Sequence, residues 1–442
     1  MTLSVLRDDA LRSTSHGFEL LLSLPWIRSL PSASLRDVSV QLDGAPVAVE
    51  VAPPGKWWHP NDRTAVRGHL THVAAAHEVT VAFTLAIPYL HPSGEAPLML
   101  PFEERRILVV NAPGSVPLPD GWILAASAFN WTPEIARGDR SPADLAVESV
   151  ADDVAATIEI EAGQVWRGFP HPTETEIDAL RDRIDRAGGR VSIVGVNIDD
   201  WAPDDSRRTD DERLAFLLPQ LRAAARLGAA GVRLPLGQAG PSLLRRLQAE
   251  LHDLGLTLFE EAQGHQTPVA AASAFADIAE LDDPRIRVLI DISMLMPALP
   301  VTYLERLRHG GLSEPVVRVL ETQWQDPATH RLVIDQLRTG SIPPALHTLV
   351  MNMLVRFGRS DAADLRQVLP MTGAVHLKFW DLDDADGRVC RPIRSIADEL
   401  RAVGFTGTLC SEWGGHEWLD DRPGPMTRDH LALARTQLAL GG

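Results

Sequence analysis

With 442 residues, 45% of them hydrophobic, and a formal charge of −17 at neutral pH, the chain can build large cores and exceeds one ordinary domain of about 100 to 200 residues. The acidic balance repels polyphosphate and anionic lipid, which argues against nucleic-acid and membrane-surface partners and favours a neutral or cationic small molecule. Cys390 and Cys410 are the only cysteines, too few for a disulfide framework or a four-thiolate zinc site, so a reducing cytoplasmic setting is expected.

The most apolar early run, Phe18 to Ile27, is interrupted by Glu19 and Pro25 and is too short to span a bilayer, so neither an export signal nor a transmembrane segment is expected. From Thr14 to about Val110 polarity alternates with a period of two, as in Val38-Ser39-Val40-Gln41-Leu42 before the turn dipeptide Asp43-Gly44, and again in His77 to Phe83. This predicts an antiparallel, sandwich-like β domain over residues 1–135. Its joints fall at Pro53-Pro54 and Pro113 to Pro119, and a linker is expected near Pro133 to Pro142.

Residues 136–442 change rhythm to strand-like apolar runs alternating with helical segments, the pattern of an α/β architecture with parallel strands. One helix is marked by Thr173 and Glu176 as a capping box, by Ile177, Leu180 and Ile184 on one face, and by Gly188-Gly189 at its end. Strands are predicted at Ala156 to Glu161, Val191 to Asn197, Gly231 to Leu236, Leu256 to Glu261, Ile286 to Asp291, Ala374 to Phe379 and Thr406 to Glu412. These seven approach the eight of a TIM barrel, (β/α)8, with one strand unlocated. The interval from Met294 to Met371 is too long for one helix and predicts an elaborated loop carrying several.

Three of these strands end in Glu261, Asp291 and Glu412 and a fourth carries His376 near its end, with Glu260 competing for the first place because alternate strand residues face opposite ways. In a barrel the strand ends converge on one mouth. Any one acid after a strand is more often a helix cap or a solvated residue than a ligand. Three carboxylates and an imidazole together need a cation, and the set suits one octahedral site for manganese or magnesium. Lys378 shares the face of His376 and would place an ammonium beside the metal, unless it pairs with Asp381. Gln263, His265 and His416 are further candidates for acid/base work, and Arg233 for substrate binding. Trp201, Trp380 and Trp413 lie near the same mouth, as sugar-covering faces or as ordinary core. Neither a nucleophile elbow nor a glycine-rich phosphate loop is present, and Asp199-Asp200 and Asp383-Asp384 read as solvated or capping aspartates.

The barrel half resembles the xylose-isomerase-like family of sugar isomerases and epimerases, and more closely the α subunit of bacterial C-glycoside deglycosidases. The resemblance rests on Glu261, Asp291, His376-Leu377-Lys378-Phe379 and Ser411-Glu412-Trp413-Gly414-Gly415-His416, which looks like that family's Ser-Glu-Tyr-Glu-Gly-His. The N-terminal half, through Gly17-Phe18-Glu19, Leu24 to Pro31 and Leu42-Asp43-Gly44, resembles the small β subunit of the same enzymes, so the two would be fused here. What the resemblance implies is a manganese-type ion and a glycoside substrate already oxidised to a ketone at C3 by a separate sugar-oxidising oxidoreductase. It further implies a lyase that removes the C2 proton and eliminates the C1 substituent; a homo-oligomer is also expected. A sugar isomerase or epimerase with the same ligands, or a sugar-binding protein without turnover, are the alternatives. The chain departs from the family where Glu-Ile-His becomes Glu261-Ala262-Gln263, with a histidine only at His265, and where the second Glu of the last motif is Gly414.

Overall fold

The computed structural model describes residues 5–14, 17–26, 28–53, 55–60, 62–69, 76–91, 97–110, 118–138, 140–152, 154–384 and 386–439. Ile27, Pro54 and the expected joint from Pro113 as far as Pro117 lie outside the described residues. The chain divides into two compact units, Met1–Pro117 and Leu118–Gly442.

The first unit contains strands β1 (Leu6–Thr14), β2 (Gly17–Ser23), β3 (Leu30–Pro31), β4 (Leu35–Leu42), β5 (Ala45–Val47), β6 (Val49–Ala52), β7 (Trp57–Trp58), β8 (Arg63–His69), β9 (Ala76–Ile87) and β10 (Leu98–Val109). They form two four-stranded antiparallel sheets, ordered β1-β2-β8-β6 and β10-β9-β4-β5, and the short pair β3-β7. The period of two is visible in β9, where Val79, Val81, Phe83 and Leu85 are buried and Thr80, Ala82 and Thr84 are only half so. Those four share one apolar core with Phe18, Leu20 and Leu22 of β2 and Val66 of β8. Between β4 and β5, Asp43 and Gly44 both take positive φ, 51° and 75°, the two-residue hairpin geometry that an Asp-Gly pair tolerates best.

In the second unit, β11 (Trp122–Ser127), β12 (Thr157–Glu161), β13 (Arg190–Gly195), β14 (Gly231–Pro235), β15 (Thr257–Ala262), β16 (Ile286–Asp291), β17 (Thr372–Phe379) and β18 (Gly407–Trp413) run in chain order around a closed barrel. Every neighbouring pair is parallel, and β18 closes on β11. Strand β11 is the one missing from the sequence reading. It lies inside the span assigned to the β domain, so the boundary falls after Pro117 rather than near residue 135. The expected linker at Pro133 to Pro142 is instead helical, Thr132–Arg137 and Pro142–Ala151. Each proline sits in a first turn, where a missing N–H removes no helical hydrogen bond.

The helix Glu174–Arg186 has the Thr173/Glu176 capping box and buries Ile177, Leu180 and Ile184. Between β16 and β17 an insert carries the helices Val301–His309, Glu314–Thr322, Pro327–Arg338 and His347–Arg356 around a core of their own that includes Tyr303, Phe357 and Trp380. Inside the barrel, Ile193, Phe259, Leu289 and Ala374 form a small separate apolar cluster. Two residues further along three of those strands come Glu261, Asp291 and His376, and a two-residue step returns to the same face. An apolar plug therefore lies beneath the polar mouth. Among the described residues no helix is long and apolar enough to cross a membrane.

Gly68 stands opposite Phe18 in the β2–β8 ladder, and a Cβ there would meet the Phe18 ring at 2.4 Å. Phe18 is wholly buried and cannot swing out, so Gly68→Val is expected to destabilise the first unit by about 1 to 3 kcal/mol. Denaturant unfolding followed by near-UV circular dichroism checks this, and a wild-type midpoint would show that the ring has room.

Candidate metal centre and active site

Glu261, Asp291, His376 and Glu412, from β15, β16, β17 and β18, bring one ligand atom each within 4.8 Å of one another, and all four are buried. Glu260 is not among them: it faces the other way and accepts from the Gly237 N–H at 3.1 Å. Burial pushes its pKa up to about 7.

The donor set fits a divalent ion on two observations. His376 Nδ1 lies 2.9 Å from Glu261 Oε1 and 2.8 Å from Glu412 Oε2, yet one N–H can satisfy only one of them. Asp291 Oδ2 and Glu412 Oε2 are buried without a hydrogen-bond partner, although Asp291 Oδ1 accepts from Ser293 N at 2.7 Å. Orphaned buried carboxylate oxygens are costly, and a shared cation satisfies them together. Burial pushes Asp291 up to about 7, with the neighbouring Glu412 and Glu261 adding to the rise against Lys378 and His376. For His376 burial opposes the charged form, but Glu159, Glu412 and Glu261 outweigh it and raise the pKa well above the usual value. To serve as a ligand the imidazole would have to give up a proton.

Beneath this cluster lies a layer that the sequence reading did not find. His376 Nε2 lies 3.0 Å from Glu159 Oε2, and Arg233 Nε donates to Glu159 Oε1 at 2.7 Å. The same guanidinium donates to Glu261 Oε2 at 2.6 Å and pairs closely with Glu161. Arg233, expected to bind substrate, is thus enclosed by three carboxylates. Burial pushes Glu161 up to about 7 although Arg233 pulls the other way. Gly195 makes room for that carboxylate, since a Cβ there would lie 2.1 Å from Glu161 Oε2.

Lys378 Nζ lies 3.2 Å from Glu412 Oε1 and 4.8 Å from the centre of the Phe129 ring. The alternative pairing with Asp381 is not formed, because Asp381 Oδ2 accepts from Thr302 N at 2.9 Å and Thr302 Oγ1 at 2.7 Å. His416 packs its ring 5.0 Å from Phe129 and 5.6 Å from Trp413, so it flanks the Lys378–Glu412 pair. Its Nε2 is buried without a partner, and burial with the Lys378 charge lowers its pKa to about 4. His265 contacts other groups, its ring 5.5 Å from that of His330. Gln263 is half-buried, with its backbone N–H bonded to Gln266 Oε1 at 3.1 Å.

The tryptophans divide. Trp201 is 60% exposed in the loop after β13. Trp413 is fully buried and donates from Nε1 to Trp380 O at 2.9 Å, and Trp380 packs edge-on to Phe357 at 4.6 Å in the insert's core. Those two are wall, not platforms for a sugar. Asn130, also unforeseen, ties the last strand down by donating to Ser411 O at 3.2 Å and accepting from Trp413 N at 2.7 Å. Asp384 is a cap, accepting from Val389 N and Cys390 N. At Gly414 a side chain would meet Trp380 Nε1 at 2.8 Å and Lys378 Cε at 3.2 Å, so Trp380 fills the room a glutamate would need there.

No protein-family model matches the chain. The C-glycoside deglycosidase alpha subunit of Arthrobacter globiformis is 30% identical over 309 residues, covering 67% of this chain and 86% of that protein. The chain belongs to the C-glycoside deglycosidase family. The 3'-dehydrocarminate deglycosidase alpha subunit of a Microbacterium species is 24% identical over 310 residues, 67% of this chain and 89% of that protein. The beta subunit of that name is 28% identical over 120 residues, 23% of this chain and 91% of its own length. Relatives of the beta kind match at the N-terminus, so this deglycosidase-family chain joins in one polypeptide what those relatives carry as two. A solved D-psicose 3-epimerase covers 72% of this chain and 100% of its own, at 14% identity and a TM-score of 0.43, a likeness that carries no argument about function.

Because only a carboxylate can accept from both His376 Nε2 and Arg233 Nε, Glu159→Gln turns one contact into a donor–donor clash. The variant is expected to bind Mn(II) or Co(II) about 10- to 100-fold more weakly in equilibrium titration while staying folded. Unchanged affinity would show that Glu159 does not orient the imidazole.

Proposed function

We propose that the chain is a metal-dependent lyase that cleaves the bond between C1 and the aglycone of 3-keto-glycosides by C2 deprotonation and β-elimination. The observation that carries it is the convergence of Glu261, Asp291, His376 and Glu412 with the Lys378 ammonium and the unpartnered His416 ring at one barrel mouth. The four would hold a divalent ion, manganese by this reading with magnesium or cobalt as alternatives, and that ion would supply Lewis-acid polarisation of the C3 ketone.

The rest falls to the chain's own side chains. His416, kept neutral by burial and by Lys378, takes the C2 proton at Nε2. Lys378 keeps its charge because Glu412 and Asp291 outweigh its burial, and it offsets negative charge building on the sugar oxygen. The C2–H electron pair forms the C1–C2 double bond as the C1–aglycone bond breaks, and the aglycone leaves with a proton. No electrons enter or leave, so the ketone must be installed beforehand by a separate sugar-oxidising oxidoreductase. A homo-oligomer in the cytoplasm completes the proposal.

A 3-keto-glycoside deuterated at C2 tests the reaction. The expected outcome is an unsaturated keto sugar that has lost the label, with the unoxidised glycoside inert. Label retained at C2 of the released sugar defeats elimination, and interconversion with the aglycone still attached means an isomerase or epimerase.

Glu412→Gln and Glu261→Gln are each expected to lower bound metal sharply by elemental analysis, since the cation loses an anionic ligand. Lys378→Met is expected to keep its metal and to lower kcat about 100-fold. Loss of metal from Lys378→Met, or full metal in both glutamine variants, contradicts these roles.

A further inference from the structure

Above β15 and β16 lies a second polar cluster that the chemistry just described does not use. Arg359 stacks on the Trp324 ring at 4.9 Å, donates to His330 Nδ1 at 2.8 Å, and has one further contact, to the backbone oxygen of Asp326 at 3.4 Å. Among the described residues it has no carboxylate partner. The Asp326 carboxylate attracts it from beyond ion-pair distance while accepting from Ala328 N at 2.8 Å on its own helix. In contrast Arg356, three residues earlier, is paired with Glu417. His265 sets its ring edge-on to His330 at 5.5 Å, and its Nε2 is buried without a partner. A half-buried guanidinium left without an acid is costly in a chain of charge −17, where acids are plentiful.

The cluster is fastened to the metal centre's own strands. His265 follows Glu261 by four residues, and the preceding Gly264 N donates to Ser293 Oγ at 3.1 Å. Gly358 N bonds Ser293 O at 2.8 Å and Ser360 N bonds Met294 O at 2.9 Å, which fixes Arg359 next to the segment leaving Asp291. At Gly264 and Gly358 a Cβ would lie 2.3 Å and 2.4 Å from backbone of the other loop, so the two loops touch directly.

We propose that His265, His330 and Arg359 bind an acidic oxygen on the aglycone, an aromatic carboxylate or a phenolate. This rests on the deglycosidase reading for the identity of the ligand as an aglycone. Arg359, backed by the buried Trp324 ring, supplies fixed positive charge and N–H donors suited to an acidic oxygen. His265 Nε2 accepts a phenolic proton or, protonated, donates to the oxygen. His265 thus becomes a binding residue rather than the proton-abstracting base.

The test uses the metal-loaded full chain and 4-hydroxybenzoate as the probe in isothermal titration calorimetry. Arg359→Gln and His330→Gln are each expected to weaken binding by about tenfold or more, with metal content and thermal unfolding unchanged. No binding to the wild type, equal affinity in wild type and Arg359→Gln, or binding that depends only on the metal overturns the site. A kinetic arm separates the two readings. In Arg359→Gln the KM for a 3-keto-glycoside of an acidic phenol should rise about tenfold at unchanged kcat, while KM for a neutral alkyl aglycone stays put. Turnover of both substrates unaltered by the variant sinks the aglycone site and leaves the lyase standing. Probe binding through Arg359 with no turnover of either substrate sinks the lyase and leaves the acid-binding site.

Discussion

A guanidinium enclosed by three carboxylates is the constraint on which the rest of the barrel depends. Five acids, Glu159, Glu161, Glu261, Asp291 and Glu412, point into one lumen, and burying even one bare carboxylate costs several kcal/mol. Arg233 and Lys378 are the permanent cations among them, which leaves three negative charges. A divalent ion would remove two, and the protonation of Glu161 near neutral pH would remove the third. The balance closes with a neutral imidazole at His376. Surrounding carboxylates raise His376 well above its usual pKa and burial pushes Asp291 up to about 7, so both answer the same excess of negative charge by holding protons.

That balance explains why part of the site could be read from sequence and part could not. The outer ring, Glu261, Asp291, His376 and Glu412, shows itself because each residue ends an apolar run. Glu159 and Glu161 do not, since Ile158-Glu159-Ile160-Glu161 reads as a strand with one wet face. In this strand the isoleucines join the apolar core and the glutamates meet Arg233, so the polar alternation marks the site and not a solvent face. The pairing of Lys378 with Glu412 instead of Asp381 was equally out of reach, because it depends on register between β17 and β18, where the two residues stand side by side.

The fold was legible where turns and periods speak for themselves, as in the Asp43-Gly44 hairpin, the Thr173 capping box and the antiparallel alternation of β9. Strand β11 escaped because the short run Trp122–Ser127 lies between a proline-rich stretch and two helices that carry proline in their first turn. Proline near a boundary signals a break but does not say which side the break belongs to. The tryptophans misled for a related reason. A tryptophan beside a strand end can cover a ligand or fill a wall, and what decides is the bond from Trp413 Nε1 to Trp380 O and the packing of the Trp380 ring on Phe357.

The stitching of the insert's last turn to the start of its first has a consequence for how such enzymes diversify. Gly358 and Ser360 hold Ser293 and Met294 by backbone hydrogen bonds, so the intervening helices hang from a closed neck. Lengthening a loop whose ends are already joined changes its closure entropy only slowly. Yet the insert does not hang by that neck alone: Trp380, two residues past Lys378, belongs to its core, Asp381 accepts from Thr302, and Arg356 pairs with Glu417. A change in these helices therefore reaches the strand ends beside Lys378 and Glu412, and a graft would have to carry the insert and those strand ends together.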